Sequence, residues 1–118
     1  MKLNEFKTTD EQDLYEMANL TSRYTGIDRV VIWVGMDYKR HAMRVKVSNV
    51  PNKMADDTFI ITIPDLDVIG KIDKSFISGK TLNDIKSWLK LNIQTLIDYE
   101  SGKLVDTGDF LDQLVQIN

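Results

Sequence analysis

Residues 42–47, Ala42-Met43-Arg44-Val45-Lys46-Val47, alternate without a break. Met43, Val45 and Val47 fall on one side and Arg44 and Lys46 on the other, the period of a strand with one buried and one solvated face. Immediately before it lies Val30-Val31-Ile32-Trp33-Val34, β-branched and aromatic, and too short for a helix. A continuous apolar run of this kind predicts a strand buried on both faces or covered by a helix. The connection through Gly35-Met36-Asp37-Tyr38-Lys39 is short, so the two strands are expected to form an antiparallel hairpin. Thr58-Phe59-Ile60-Ile61-Thr62-Ile63 gives a third strand, ended by Pro64. A fourth, through Leu66, Val68 and Ile72, is the weakest of the set.

Helical spacing brackets these strands. From Thr9 to Tyr24, Leu14, Met17, Ala18, Thr21 and Tyr24 recur at three- and four-residue steps, after a capping box at Thr8-Thr9-Asp10-Glu11 and before Gly26. After the strands, Leu82, Ile85, Leu89, Ile93 and Leu96, widened by Trp88 and Ile97, form one apolar stripe. Thr81-Leu82-Asn83-Asp84 reads as its cap and Ser101-Gly102 as its end. A last helix follows, capped by Asp106 or Thr107, with Phe110, Leu111, Leu114 and Val115 on its apolar side. Consecutive strands between helices argue for a single α+β domain over residues 1–118. The expected order is an N-terminal helix, a three- to four-stranded antiparallel sheet, then two C-terminal helices packed on it. Trp33, Trp88, Phe59 and Phe110 are expected in the core, and Tyr15 and Tyr99 at a core edge or an interface.

The chain has 118 residues, 42% of them hydrophobic and 28% charged, which excludes disorder, collagen-like repeats and disulfide scaffolds. With no cysteine and one histidine, thiol chemistry, cysteine-ligated zinc and a histidine-rich metal site are excluded as well. Neither a metal nor a cofactor is expected. Met1-Lys2-Leu3-Asn4-Glu5-Phe6-Lys7 lacks the apolar stretch of a signal peptide, and no run is long enough to span a bilayer. A cytoplasmic protein with no membrane contact is the expectation.

The net charge of −3 conceals an uneven distribution. Residues 1–28 carry −3, residues 29–53 carry +5 and residues 54–118 carry −5. The bases of the middle segment are Arg29, Lys39, Arg40, Arg44, Lys46 and Lys53. Attraction of an anionic partner is therefore confined to one element.

Four constellations invite a chemical reading. Ser78-Gly79-Lys80-Thr81 ends like a phosphate-binding loop, but the required glycine five residues before Gly79 is Lys74, and helix capping accounts for Gly79 and Thr81. Asp65-Leu66-Asp67-Val68-Ile69-Gly70 opens like a calcium loop, but Ile69 and Phe76 stand where oxygen ligands are needed. Turn chemistry after Pro64 explains it better. Asp56-Asp57, Asp106 and Asp109 read as solvated acids at loops and caps. The fourth, Tyr38, Lys39, Arg40 and His41 with outward-facing Arg44 and Lys46, combines phosphate-binding cations with a ring that can stack on a base. Two readings compete with recognition there. One is metal-independent RNA cleavage with His41 as acid or base. The other is a solvated hairpin whose charges guard a sheet edge.

Ile61-Thr62-Ile63-Pro64-Asp65-Leu66-Asp67-Val68-Ile69-Gly70, then Ile85-Lys86-Ser87-Trp88-Leu89-Lys90-Leu91-Asn92 and Leu96-Ile97-Asp98-Tyr99, resembles a family of short bacterial domains of unknown function. The resemblance covers residues 30–100. Its members often neighbour toxin–antitoxin-like genes and carry a Pro-Pro-His-Phe-His strand motif. Lys39-Arg40-His41-Ala42-Met43 occupies that place here and keeps only the first histidine, while Asn92 replaces the family's helix histidine. The strand is also similar to His-x-x-Arg-x-Lys-Val strands of small phage proteins.

No catalytic set remains once the fold is sketched. The expected function is that of a small non-enzymatic interaction protein that binds a macromolecular partner, such as an antitoxin-like component or a phage-encoded inhibitor of a host system. The partner-binding residues are Tyr38, Lys39, Arg40, His41, Arg44 and Lys46, with a protein favoured over nucleic acid as the partner. The alternatives are a nucleic-acid-binding protein using the basic hairpin and an RNase-like toxin centred on His41. An open sheet edge would also permit a homodimer.

Overall fold

The computed structural model describes residues 17–35 and 43–117. Strands β1 (Met17–Leu20), β2 (Ile32–Gly35), β3 (Arg44–Ser48), β4 (Thr58–Thr62) and β5 (Val68–Ile69) form one sheet in chain order, every neighbour antiparallel. Helices α2 (Gly79–Leu91), α3 (Ile93–Glu100) and α4 (Thr107–Gln113) follow, and a single turn, α1 (Ser22–Thr25), sits between β1 and β2. The α+β class and the antiparallel sheet are as expected.

The N-terminal element differs. Residues 9–16 lie outside the described residues, but Met17–Leu20, expected in a helix, is a strand paired with β2 from Met17↔Gly35 to Leu20↔Ile32. Among the described residues of this segment Ser22–Thr25 is helical, closed by Gly26 at φ 77°, whose N–H donates to the Ser22 carbonyl at 2.8 Å. Pairing with β2 satisfies the backbone of 17–20 and puts Leu20 in the core with no exposed surface, and this outweighs the helical spacing.

The weak fourth strand shrinks to Val68 and Ile69, opposite Ile61 and Ile60. Leu66 belongs to the preceding turn, at φ 63°, with its N–H on the Thr62 carbonyl at 2.9 Å. The Asp65–Asp67 stretch thus makes a turn, closed by Asp67 N–H donating to Thr62 Oγ1 at 3.0 Å.

The C-terminal region has three helices rather than two. The expected cap at Thr81 moves to Ser78, whose Oγ accepts from the Thr81 N–H at 3.1 Å, so the helix opens at Gly79. Asp106 caps α4 by accepting from Asp109 N–H at 3.0 Å. The long apolar stripe is broken at Asn92, which leaves the helical region at φ −105° and ψ 16°. The Trp88 carbonyl accepts both the Asn92 backbone N–H at 3.1 Å and the Asn92 side chain, through Nδ2, at 2.9 Å.

The helices cover one face of the sheet. Ile85, Trp88, Leu89, Leu96 and Tyr99 meet Leu20, Ile32, Val34, Val45, Val47, Phe59 and Ile61, all buried. Trp88 donates its indole N–H to the Tyr24 carbonyl at 3.1 Å, which satisfies its only polar atom. Tyr99 stacks on Phe110 with ring centroids 4.0 Å apart, fixing α4 against α3. Tyr99 is therefore core and not an interface anchor; Tyr15 lies outside the described residues. Beyond α4 the chain runs back extended, with Ile117 N–H donating to the Thr25 carbonyl at 3.1 Å.

Candidate binding face on the sheet

Strand alternation sorts β3 as expected: Val45 and Val47 enter the core while Arg44 and Lys46 emerge half-buried on the opposite face. Tyr38, Lys39, Arg40 and His41 lie outside the described residues. Register defines what surrounds the two remaining cations. Asn19, Trp33, Lys46, Ile60 and Ile69 are successive cross-strand partners, one from each strand, and Arg44 stands opposite Thr62. The five described strands contribute two cations and no acid to this face.

Trp33 is the correction with most consequence. It was expected in the core, yet it is half-buried on the face away from the helices. The core takes Ile32 and Val34, and period-2 alternation sends Trp33 to the other side. Its indole lies along its own strand over Gly35, where a Cβ would fall 2.6 Å from Cη2 and 2.7 Å from Cζ2. Only glycine permits the ring to lie that low. The Lys46 ammonium sits 5.1 Å from the ring centroid, at cation–π distance.

A recess of about 240 Å³ opens beside this pair, lined by Trp33, Lys46, Met54, Ala55, Asp56 and Thr58. Its last four residues come from the loop between β3 and β4 and from the first position of β4. Behind β3, Glu100 of α3, itself only 3% exposed, accepts from the Arg44 backbone N–H at 3.0 Å, which ties the start of the strand to the helical layer.

A larger cleft, about 790 Å³, lies among Asn49, Asp57, Gly70, Lys71, Ile72, Asp73 and Lys74. Its polar side chains Asn49, Asp57 and Asp73 are spent on the fold. Buried Asn49 donates through Nδ2 to Asp57 Oδ1 at 2.8 Å and to the Lys71 carbonyl at 3.0 Å, and accepts from Asp73 N–H at 2.9 Å. One carboxamide thus joins the β3–β4 loop to the segment after β5. Asp73 in turn accepts from the Ser75 hydroxyl at 2.6 Å and its N–H at 3.0 Å, and these bonds, hydroxyl first, hold its carboxyl below the ordinary range.

The paired acids do not converge. Asp57 binds Asn49, Asp56 borders the recess beside Trp33, and Asp106 caps α4. Among the described residues no three His, Cys, Asp or Glu side chains are grouped to hold a metal. The basic middle segment is not one patch either, since Arg29 stacks on Phe76 at 5.5 Å, in loops outside the hairpin. No helix among the described residues is long and apolar enough to cross a membrane.

Two site residues escaped the sequence reading. Trp33 carried no signal of its face, since Val30 to Val34 is apolar throughout. Asn49 carried none, because its partners lie 8 to 24 positions away. Comparison of the chain with protein-family models, with curated proteins and with solved structures gave no match.

Proposed function

We propose that this protein is a small interaction protein, without catalysis of its own, that binds a macromolecular partner through the sheet face bearing Trp33, Arg44 and Lys46. The supporting observation is the Trp33 ring, laid over Gly35 and capped by Lys46, on the face opposite the helices. A large ring held in one position loses little freedom on binding, and aromatic anchors contribute disproportionately at interfaces. An antitoxin-like component or a phage-encoded inhibitor of a host system is the kind of protein that acts by such contact.

The test is co-purification from a bacterial lysate, parent against Lys46→Glu and Trp33→Ala, with circular dichroism establishing that each variant folds. A macromolecule retained by the parent and lost from both folded variants is the expected result. Equal retention by all three, or none by the parent, would overturn the assignment.

A further inference from the structure

Resting on the reading of this face as the working surface, we infer that the recess beside Trp33 is a nucleobase subsite for single-stranded nucleic acid. Three features meet there. The indole offers a flat ring for a base to stack on, lying over Gly35, which leaves room for it. The Lys46 ammonium, 5.1 Å from the ring centroid, is on a flexible stem; a base entering the ring face displaces it toward the phosphate that accompanies that base. Arg44 lies two residues along the same strand face, about 7 Å away by strand rise, within reach of the neighbouring phosphate of an extended strand.

The walls of the recess separate a base from other anions. Of the lining residues, Met54 and Ala55 are apolar, while Asp56 carries a carboxylate and Thr58 a hydroxyl. A carboxylate repels the side chains of an acidic peptide, and such a peptide has no flat group to use the indole. A base carries exocyclic amines that a carboxylate accepts, and the two cations are left for the phosphates. The acceptor at Asp56 favours the bases that carry an exocyclic amine, adenine, cytosine and guanine, over thymine. Duplex DNA buries its base faces in the stack and has nothing to place on Trp33.

The two tryptophans make the test direct. Trp88 has no exposed surface and its N–H is bonded inside the core, so Trp33 is the ring that a ligand reaches. The full chain is titrated at low salt with oligodeoxyadenylate, with oligothymidylate, with a duplex of the same length and with polyglutamate, following tryptophan emission. Saturable quenching by the adenylate, weaker with thymidylate and absent with duplex and polyglutamate, is expected. Lys46→Gln should weaken binding and lower the log–log salt slope by about one. Asp56→Asn should narrow the preference for adenine.

Absence of quenching, equal affinity in folded Lys46→Gln, or equal quenching by polyglutamate overturns the subsite. The same Lys46→Gln protein in the lysate experiment keeps the two readings apart. If it loses a captured protein while no oligonucleotide binds the parent, the nucleobase subsite fails and the binding face stands.

Discussion

The Asn92 carboxamide pairs with both backbone groups of Val115: Oδ1 accepts from the Val115 N–H at 2.8 Å, and Nδ2 donates to its carbonyl at 2.9 Å. Nδ2 also reaches the Trp88 carbonyl, so one side chain bonds both the end of α2 and the C-terminal strap. The strap then runs to α1, where Ile117 bonds Thr25 and the Gln116 amide bonds the Arg23 carbonyl. The strap thereby ties the end of α2, through Asn92, to the α1 turn, through Thr25 and Arg23.

Asn92→Ala removes this junction. With the residue 3% exposed and two backbone partners left to water, a loss of about 1–3 kcal/mol in urea unfolding is expected. Hydrogen exchange at the Val115 amide should accelerate in the same variant. An effect within about 0.5 kcal/mol would mean that the strap holds without Asn92.

Gly26→Ala tests the other end of the strap. Gly26 sits at φ 77°, and a Cβ there meets the Ile117 carbonyl oxygen. The backbone alone should cost about 1–2 kcal/mol, with displacement of the strap in addition. Gly79→Ala provides the contrast. A Cβ at Gly79 meets nothing within 4 Å, so alanine in that helical position should leave the melting temperature unchanged or raise it.

Gly35→Ala should lift the Trp33 ring from the sheet, since the new methyl would fall 2.6 Å from Cη2. The expected readout is a change in emission and in iodide quenching of Trp33, with the buried Trp88 signal unaltered. An unchanged spectrum would show that the ring does not depend on Gly35. Partner capture should fall with the same substitution if the ring's position is what the partner reads.

Asp73 predicts a pH effect of definite sign. Its folded carboxyl is held below the ordinary value of 3.8 by the Ser75 hydroxyl and N–H, so the charged form favours the fold. That stability is present above the ordinary value and is lost as pH falls through the lowered one. Asp73→Asn should therefore lower the urea midpoint at neutral pH and narrow its gap to the parent in the acid range. A gap that stays constant down to acid would assign Asp73 no titrating role. Because the group is exposed, the expected effect is small.

The legible parts of this protein are those in which period alone decides. Arg44 and Lys46 emerge opposite Val45 and Val47 because a strand has no other way to place them. Ile85 and Leu89 of α2 enter the core because helical spacing puts them on one side. Asp106 caps α4 through a local hydrogen bond of three residues' span. In each case the information and the physical effect are within one turn or one strand.

Elsewhere the local pattern was compatible with two outcomes. Ala18, Thr21 and Tyr24 have helical spacing, but β2 offers a partner edge, and hydrogen bonding to it makes Met17–Leu20 a strand. In Val30-Val31-Ile32-Trp33-Val34 no polar residue marks a face, so only the packing of Ile32 and Val34 beneath α2 and α3 sends Trp33 outward. The Asn92 carboxamide is bonded to Val115, 23 residues on, a partner that helical spacing does not reveal.

Short-range periodicity was enough for the α+β class, the antiparallel order of the central strands and the side on which Arg44 and Lys46 stand. Tertiary structure alone decided the identity of the first strand, the outward face of Trp33 over Gly35 and the recess beside Lys46. Those depend on pairing and packing between residues distant in the chain, where one apolar run fits either face until its neighbours are in place.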